Sequence, residues 1–391
     1  MPKGKLDNTE KKLIASMQQM IPSLGKKFHD MKLAEMDSFK LLEMAQHRQI
    51  NVKLQGPTGG GKTTIYEAYC ESSRQPHFVA NMKGSTTSEE LIGAFVPNEE
   101  TGGAQYVWKD GVIIRALKYS NMWVEANVTK KTKDGTDTYE NDAPTGYAID
   151  INRKNELAPE DIIKTEGNKF VVKAWPLCML TVEEINFSPE ELMSVWFSLL
   201  DIRRNIVLNE KDGEVIKAGK FLSVNATMNP DYIGTNPLNE ALNDRFLIKL
   251  DVDYDVKVEN KIIAETGKEY DFYVKEIQFL KKFVHLIRKG NNEGELSGNI
   301  STRMIEAFMV IKGNFGDEVA ERSLINAFNV DDQGFAKEAF EIAKADSNTV
   351  DLTSAEMEGL DLQNFKGYAP PKVAKTDAPV QTAKKKTDCP F

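Results

Sequence analysis

Nine residues, Gly56, Pro57, Thr58, Gly59, Gly60, Gly61, Lys62, Thr63 and Thr64, constrain the fold of this chain more than any other stretch. They match the spacing G-x-x-x-x-G-K-[ST] and stand between a short apolar run, "INVKLQ", and a helical pattern, "TTIYEAYCESS". Such a loop needs glycines because successive backbone N–H groups must turn inward on one centre. It needs a helix after it because the helix N-terminus adds a dipole that favours phosphate oxygens. In that geometry Lys62 reaches the β and γ phosphates and Thr63 offers its hydroxyl to Mg²⁺.

The flanking sequence repeats the alternation. "INVKLQG", "HFVANM", "PLCMLTVEE", "KFLSVNAT" and "FLIKLDV" read as short strands separated by helical or loop segments. This predicts an α/β fold, a three-layer parallel sheet with helices on both faces, followed by an all-α subdomain. One detail fits poorly: Lys53 and Gln55 alternate with Val52 and Leu54 where a strand buried on both faces should be continuously apolar.

The expected organisation is a helical prefix over 1–49, an α/β nucleotide-binding core over 50–255, a helical lid over 256–347 and a disordered tail over 348–391. The tail is expected from the Pro, Ala and Lys richness of "GYAPPKVAKTDAPVQTAKKKTDCPF". A β-rich insertion with mobile loops is expected at about 121–175, where Gly, Asn, Asp and Lys interrupt short pieces such as "GYAIDI" and "NKFVVKAW".

Composition narrows the classes of function. The three cysteines, Cys70, Cys178 and Cys389, are too few and too scattered for a disulfide framework or a zinc site, which fits a reducing, cytoplasmic setting. No signal-peptide pattern and no run long enough to span a bilayer is visible, so no membrane role is expected. A formal net charge of −9 disfavours nonspecific coating of nucleic acid.

The second chemical signal is "CMLTVEEINFSPEEL", an apolar run that ends in two adjacent carboxylates. Neighbouring residues at a strand end point different ways. Glu183 is therefore expected to support the Mg²⁺ shared with Thr63, and Glu184 to orient and deprotonate an attacking water. Aspartate is usual at the first position. Glu183 is one methylene longer, which predicts an altered metal site that keeps its charge.

These residues, followed by Ile185 and Asn186, resemble the Asp-Glu-Ile-Asn signature of AAA+ ATPases of the MoxR type, related to McrB-like, dynein-like and chelatase ATPases. "TTSEELIGAFVP" with "WKDGVIIRALK", "GKFLSVNATMNP", "LNEALNDRFLIKLDV" and "NISTRMIEAF" are similar to further motifs of that group in the same order, and "NIVLNEKDGEVIKAGKF" is similar to its pre-sensor hairpin. The resemblance implies ATP as substrate, Mg²⁺ as cofactor, Asn229 as the γ-phosphate sensor and Arg245 as an arginine finger acting on a neighbouring subunit. It implies Arg303 as the residue coupling the lid to the nucleotide, with Thr302 standing where the group usually has proline. It implies a homo-oligomer, a hexameric ring that remodels a protein client such as a von Willebrand factor A domain protein. The alternatives are a McrB-like motor acting on nucleic acid, a cobaltochelatase-type ATPase subunit, and a scaffold that binds without hydrolysing. The insertion at 121–175 exceeds what the group normally carries. Trp123 and Tyr147 within it, with Tyr106 and Trp108 before it, are either client contacts or core residues of a small β unit. The final Asp-Cys-Pro-Phe is loosely similar to the tips by which single-stranded-DNA-binding proteins recruit partners, though a solubilising end suits its basic composition better.

Overall fold

The computed structural model describes residues 14–25, 28–98, 105–134, 136–230, 238–345 and 356–368. Five strands make the central sheet: β1 (Val52–Gln55), β2 (His77–Asn81), β3 (Cys178–Glu183), β4 (Leu222–Met228) and β5 (Ile248–Asp251). Their spatial order is β5-β1-β4-β3-β2, and every pairing is parallel. Parallel strands require crossovers, and the helices that provide them cover both faces.

On one face α1 (Lys62–Ser73) packs Ile65 and Tyr66 with Leu41 and Leu42 of the Ser38–His47 helix against Val52, Leu54 and Met179. On the other, α2 (Val112–Ser120) and α3 (Met193–Leu200) pack Ile113, Leu117, Trp196 and Leu199 against Phe78, Leu180, Val182 and Val224. Each fully buried aliphatic side chain of this kind contributes about 1.5–3 kcal/mol.

The misfit of Lys53 and Gln55 has a local explanation. Lys53 is buried, and its Nζ donates to Asn243 Oδ1 at 2.9 Å and lies 3.9 Å from Met228 Sδ. Gln55 Nε2 donates to Asp251 Oδ1 at 2.8 Å on the neighbouring strand. The polar residues of β1 are thus tied to specific partners, and the strand occupies the interior of the sheet despite its alternating sequence.

Residues 121–175 hold an antiparallel sheet inserted between α2 and β3. Its strands are Val124–Lys133, Thr136–Asn141, Tyr147–Ile149, Ile162–Glu166 and Lys169–Pro176. Ala126, Val128, Ile149, Leu157, Val172 and Ala174 form its own buried cluster. Lys220, just before β4, donates to Asp150 at 2.6 Å, Glu160 at 2.8 Å and Asp161 at 2.9 Å. Burial opposes the charge of Lys220, but those three bonds outweigh it and hold the ammonium well above its ordinary range.

The prefix, expected to be helical with a break near Gly25, also contains a short antiparallel pair, Lys32–Leu33 with Met36–Asp37. Ala34 and Glu35 both take positive φ there, the geometry of a tight two-residue turn, which overrides the helical spacing.

A second compact unit comprises Asn260–Ile300 and Met304–Phe391, while Ser301–Arg303 group with the first. The second unit is helical, including Val274–Asn292, Asp317–Asn326 and Gln333–Ala345, with Phe279, Phe283, Phe308 and Phe340 meeting edge-to-face or tilted in its core. Residues 356–368 fall in the stretch expected to be disordered, yet they pack on this unit. Leu360 and Phe365 are buried in its core, and Asn260 Nδ2 donates to the carbonyls of Glu356 and Glu358, each at 3.0 Å. Apolar residues in "MEGLDLQNF" make the difference from the Pro- and Lys-rich end, which lies outside the described residues from 369 on.

Candidate functional site

The loop from Gly56 to Gly61 leaves the C-terminal end of β1 and enters α1 at Lys62. Gly56 and Gly61 have φ of 147° and 90°, where a side chain is strained. At Gly56 an added Cβ would fall 2.1 Å from the carbonyl oxygen of Val252, so close approach also forbids one. Gly56 N donates to the carbonyl of Met228 at 3.1 Å, which pins the start of the loop to the end of β4.

Lys62 is buried and folds its ammonium onto the loop, donating to the carbonyls of Gly56 and Pro57 at 2.8 Å each. Burial lowers its pKa first; the charge of Glu184 raises it and that of Arg303 lowers it. Lys62, Glu184 and Arg303 therefore share one electrostatic neighbourhood. Thr63 and Thr64 lie in the first turn of α1, at the positive end of its dipole.

β3 runs beside β4 and ends in the carboxylate pair. Glu183 is its last residue, paired in register with Asn81, and its carbonyl accepts from Met82 N at 3.0 Å. Glu184 takes a left-handed conformation with φ of 52°, which turns the chain out of the strand. Its N–H donates to Thr227 Oγ1 at 3.2 Å, and its Oε2 is buried without a hydrogen-bond partner among the described residues. Burying a carboxylate oxygen without a hydrogen-bond partner is costly.

Asn229, one residue beyond β4, donates from Nδ2 to Thr58 Oγ1 at 2.8 Å. Its carbonyl accepts from Asn186 Nδ2 at 3.2 Å. Strand ends β1, β3 and β4 thereby bring together the loop, Glu183, Glu184 and Asn229. Asn186 and Thr227, which sequence reasoning did not single out as supports, hold Asn229 and Glu184 in place. Their signal is only positional, since Asn186 lies three residues past the end of β3 and Thr227 one residue before the end of β4.

Glu67 was also missed. It stands one helical turn beyond Thr63, on the same side of α1. Burial first, and the charge of Glu183 second, raise its carboxyl above the ordinary range. Thr63, Glu67 and Glu183 all offer oxygen donors, two of them carboxylates, a chemistry that suits Mg²⁺, an ion that keeps several waters and takes few protein ligands. No cluster of three or more His, Cys, Asp or Glu residues suited to a metal occurs among the described residues.

Arg245 lies elsewhere. It precedes β5, whose first residue pairs with Val52, so it sits at the N-terminal end of the sheet, opposite the loop. Its guanidinium stacks 4.6 Å from the Phe197 ring and donates to the Ala241 carbonyl at 2.6 Å. The four residues of β1, at roughly 3.3 Å each, separate it from the start of its own phosphate loop.

The aromatic candidates divide. Trp123 and Trp175 flank the Lys173 ammonium at 5.4 and 5.9 Å, and burial raises the pKa of Tyr147, which faces Tyr119. Trp108 packs edge-on to Phe95 at 5.2 Å and donates to Asp110 at 2.9 Å, while Tyr106 is 67% exposed.

A model of the AAA domain, dynein-related subfamily, matches residues 51–246, a span that holds the loop, the carboxylate pair, Asn229 and Arg245. The chain belongs to the dynein-related AAA family. Among its relatives, an uncharacterised protein of Staphylococcus epidermidis is 28% identical over 249 residues, covering 63% of this chain and 72% of that one. One of Staphylococcus saprophyticus is 26% identical over 250 residues with the same coverage. Among solved structures, NtrX of Brucella abortus in complex with ATP is 14% identical, with a TM-score of 0.38 over 87% of this chain and 68% of that one. The parallel sheet with its loop at the strand ends is the P-loop fold of this AAA family. No helix among the described residues is long and apolar enough to cross a membrane.

Proposed function

We propose that this AAA protein is a Mg²⁺-dependent ATPase of the MoxR type that works as a ring and remodels a macromolecular partner. The observation that carries the reading is the buried, unpaired Oε2 of Glu184 beside a phosphate loop whose lysine is turned inward. When ATP binds, the ammonium of Lys62 exchanges the carbonyls of Gly56 and Pro57 for phosphate oxygens, and the loop N–H groups complete the cradle. Glu184 takes a proton from the attacking water as its oxygen bonds to the γ-phosphorus and the bond to ADP breaks. Asn229, held by Thr58 and Asn186, orients that water or the γ-phosphate.

Thr63, Glu183 and Glu67 are the residues that would hold Mg²⁺. The ion, when bound, neutralises charge on the β and γ oxygens. Arg245 stands at the wrong end of the sheet for its own loop, which supports a role on a neighbouring copy and hence a homo-oligomeric ring. Arg303, close enough to lower the pKa of Lys62, couples the helical unit to the nucleotide. The inserted sheet at 121–175 is the element through which a client is chosen.

The test is steady-state ATP and GTP hydrolysis with Mg²⁺, with mass in solution recorded alongside. Turnover from a nucleotide-dependent assembly, retained in Glu183→Asp, supports a running motor. Turnover that appears only in Glu183→Asp identifies a nucleotide-binding scaffold and removes the motor reading.

A further inference from the structure

Two polar side chains, one in the central strand β1 and one just before it, serve neither the phosphate loop nor the core. Asn51, at its entrance, is buried and donates from Nδ2 to the carbonyl of Leu200 at 3.2 Å and to that of Arg245 at 3.3 Å. Its Oδ1 is buried without a partner among the described residues. Lys53 is buried two residues later, and its ammonium joins Asn243 Oδ1 to the neighbourhood of Met228 Sδ. Burying a half-satisfied amide and an ammonium with one strong acceptor is unfavourable, and an apolar pair would suit a strand buried on both faces better.

Their partners share one property. Asn243 closes the short helix Glu240–Asn243, which Asn239 caps from the other end by accepting from Ala241 N at 2.9 Å. Arg245 follows two residues later and returns its guanidinium to Ala241 of that helix. Met228 stands next to Asn229 and accepts from Gly56 N. β1 and the residue that precedes it therefore grip the segment carrying Arg245 at two points, and the mouth of the phosphate loop follows the strand's far end.

We propose that Asn51 and Lys53 are positioning residues that couple a chain's own nucleotide site to the Arg245 it offers its neighbour. The inference rests on the ring ATPase reading above. A shift of β1 or of the end of β4 on nucleotide binding is carried through Lys53 to Asn243, and through Asn51 to the Arg245 carbonyl, so the guanidinium moves with the state of the loop behind it.

The test is complementation between full-length chains in mixed assemblies. Lys62→Ala chains lack their own site but keep Arg245, and Arg245→Ala chains have the opposite defect; mixing them should restore turnover. Absence of restoration in this pair overturns the ring reading and the inference with it. Given restoration, Lys53→Met should lower turnover by up to about a hundredfold, the scale of a displaced catalytic group. It should bind a fluorescent ATP analogue within about twofold of the natural chain, and it should recover turnover when mixed with Lys62→Ala. Asn243→Leu should reproduce the defect without adding to it, whereas Asn243→Asp, which keeps the acceptor, should retain turnover. Failure of Lys53→Met to recover with Lys62→Ala, or loss of its own nucleotide binding, would place Lys53 at its own site or in the fold alone and overturn the proposal.

Discussion

The central sheet and the inserted sheet solve the same backbone problem in opposite ways. The central sheet is parallel and covered on both faces, so its polar side chains must each find a partner inside; Lys53, Asn225 and His77 do so with Asn243, Ser223 and Thr181. The inserted sheet is antiparallel, keeps one small apolar cluster and sends its charged residues to solvent, where Lys131 pairs with Glu140 and Lys164 with Glu166. Polar groups in the first region are constrained by burial and can hold chemistry to a fixed geometry. Those in the second are free to vary, which suits a surface that selects partners.

The largest test of this contrast is Glu184→Gln. It keeps the shape of the buried side chain and removes the base, so turnover should fall by about 10³ while nucleotide binding persists. Steady-state rates and equilibrium binding on the same variant check both parts, and a loss below tenfold would remove Glu184 from its proposed role.

Next in size is His77, buried in the central sheet with Nε2 2.8 Å from Thr181 Oγ1 and its pKa lowered by burial from 6.5 to about 4. Between those values the unfolded chain holds a proton that the folded chain does not. Stability should therefore fall as pH drops through that window, by up to about 3 kcal/mol, and be unaffected by this group above it. Denaturant titrations of His77→Gln should show a flatter dependence between pH 6.5 and 4 than the natural protein. An identical slope would mean that His77 is not held neutral.

Lys220→Met addresses the junction of the two sheets. It leaves the buried Asp161 without its cation, and we expect about 2 kcal/mol of lost protection in amide exchange across the inserted strands. The amides of β3 and β4 should keep theirs. Equal loss in both would show that the sheets open together. The smallest effect is expected for Lys131→Ala on the exposed face of the insertion, where loss of the pair with Glu140 should cost less than about 0.5 kcal/mol in thermal unfolding.

Much of the α/β architecture was legible in the sequence because its signals are local. Apolar runs bounded by loops marked all five central strands, and the glycines around Lys62 marked a loop that only their positive φ angles permit. The prefix was not legible in the same way, since the turn at Ala34 and Glu35 has no glycine or asparagine to announce it. Residues 356–368 were hidden by composition: a few apolar residues next to a Pro- and Lys-rich end carry no periodicity, and they become ordered only by packing on distant helices.

By itself the sequence determined the five central strands and their succession along the chain, the phosphate loop and the adjacent carboxylates of Glu183 and Glu184, because each depends on residues close together in the chain. Only the tertiary structure decided that Lys53 is buried against Asn243, that Asn229 meets Thr58, that the charge of Glu183 acts on Glu67, and that Arg245 lies at the far end of the sheet from its own loop. Those relations join residues up to 190 positions apart. They are set by strand order and register, which no local propensity encodes.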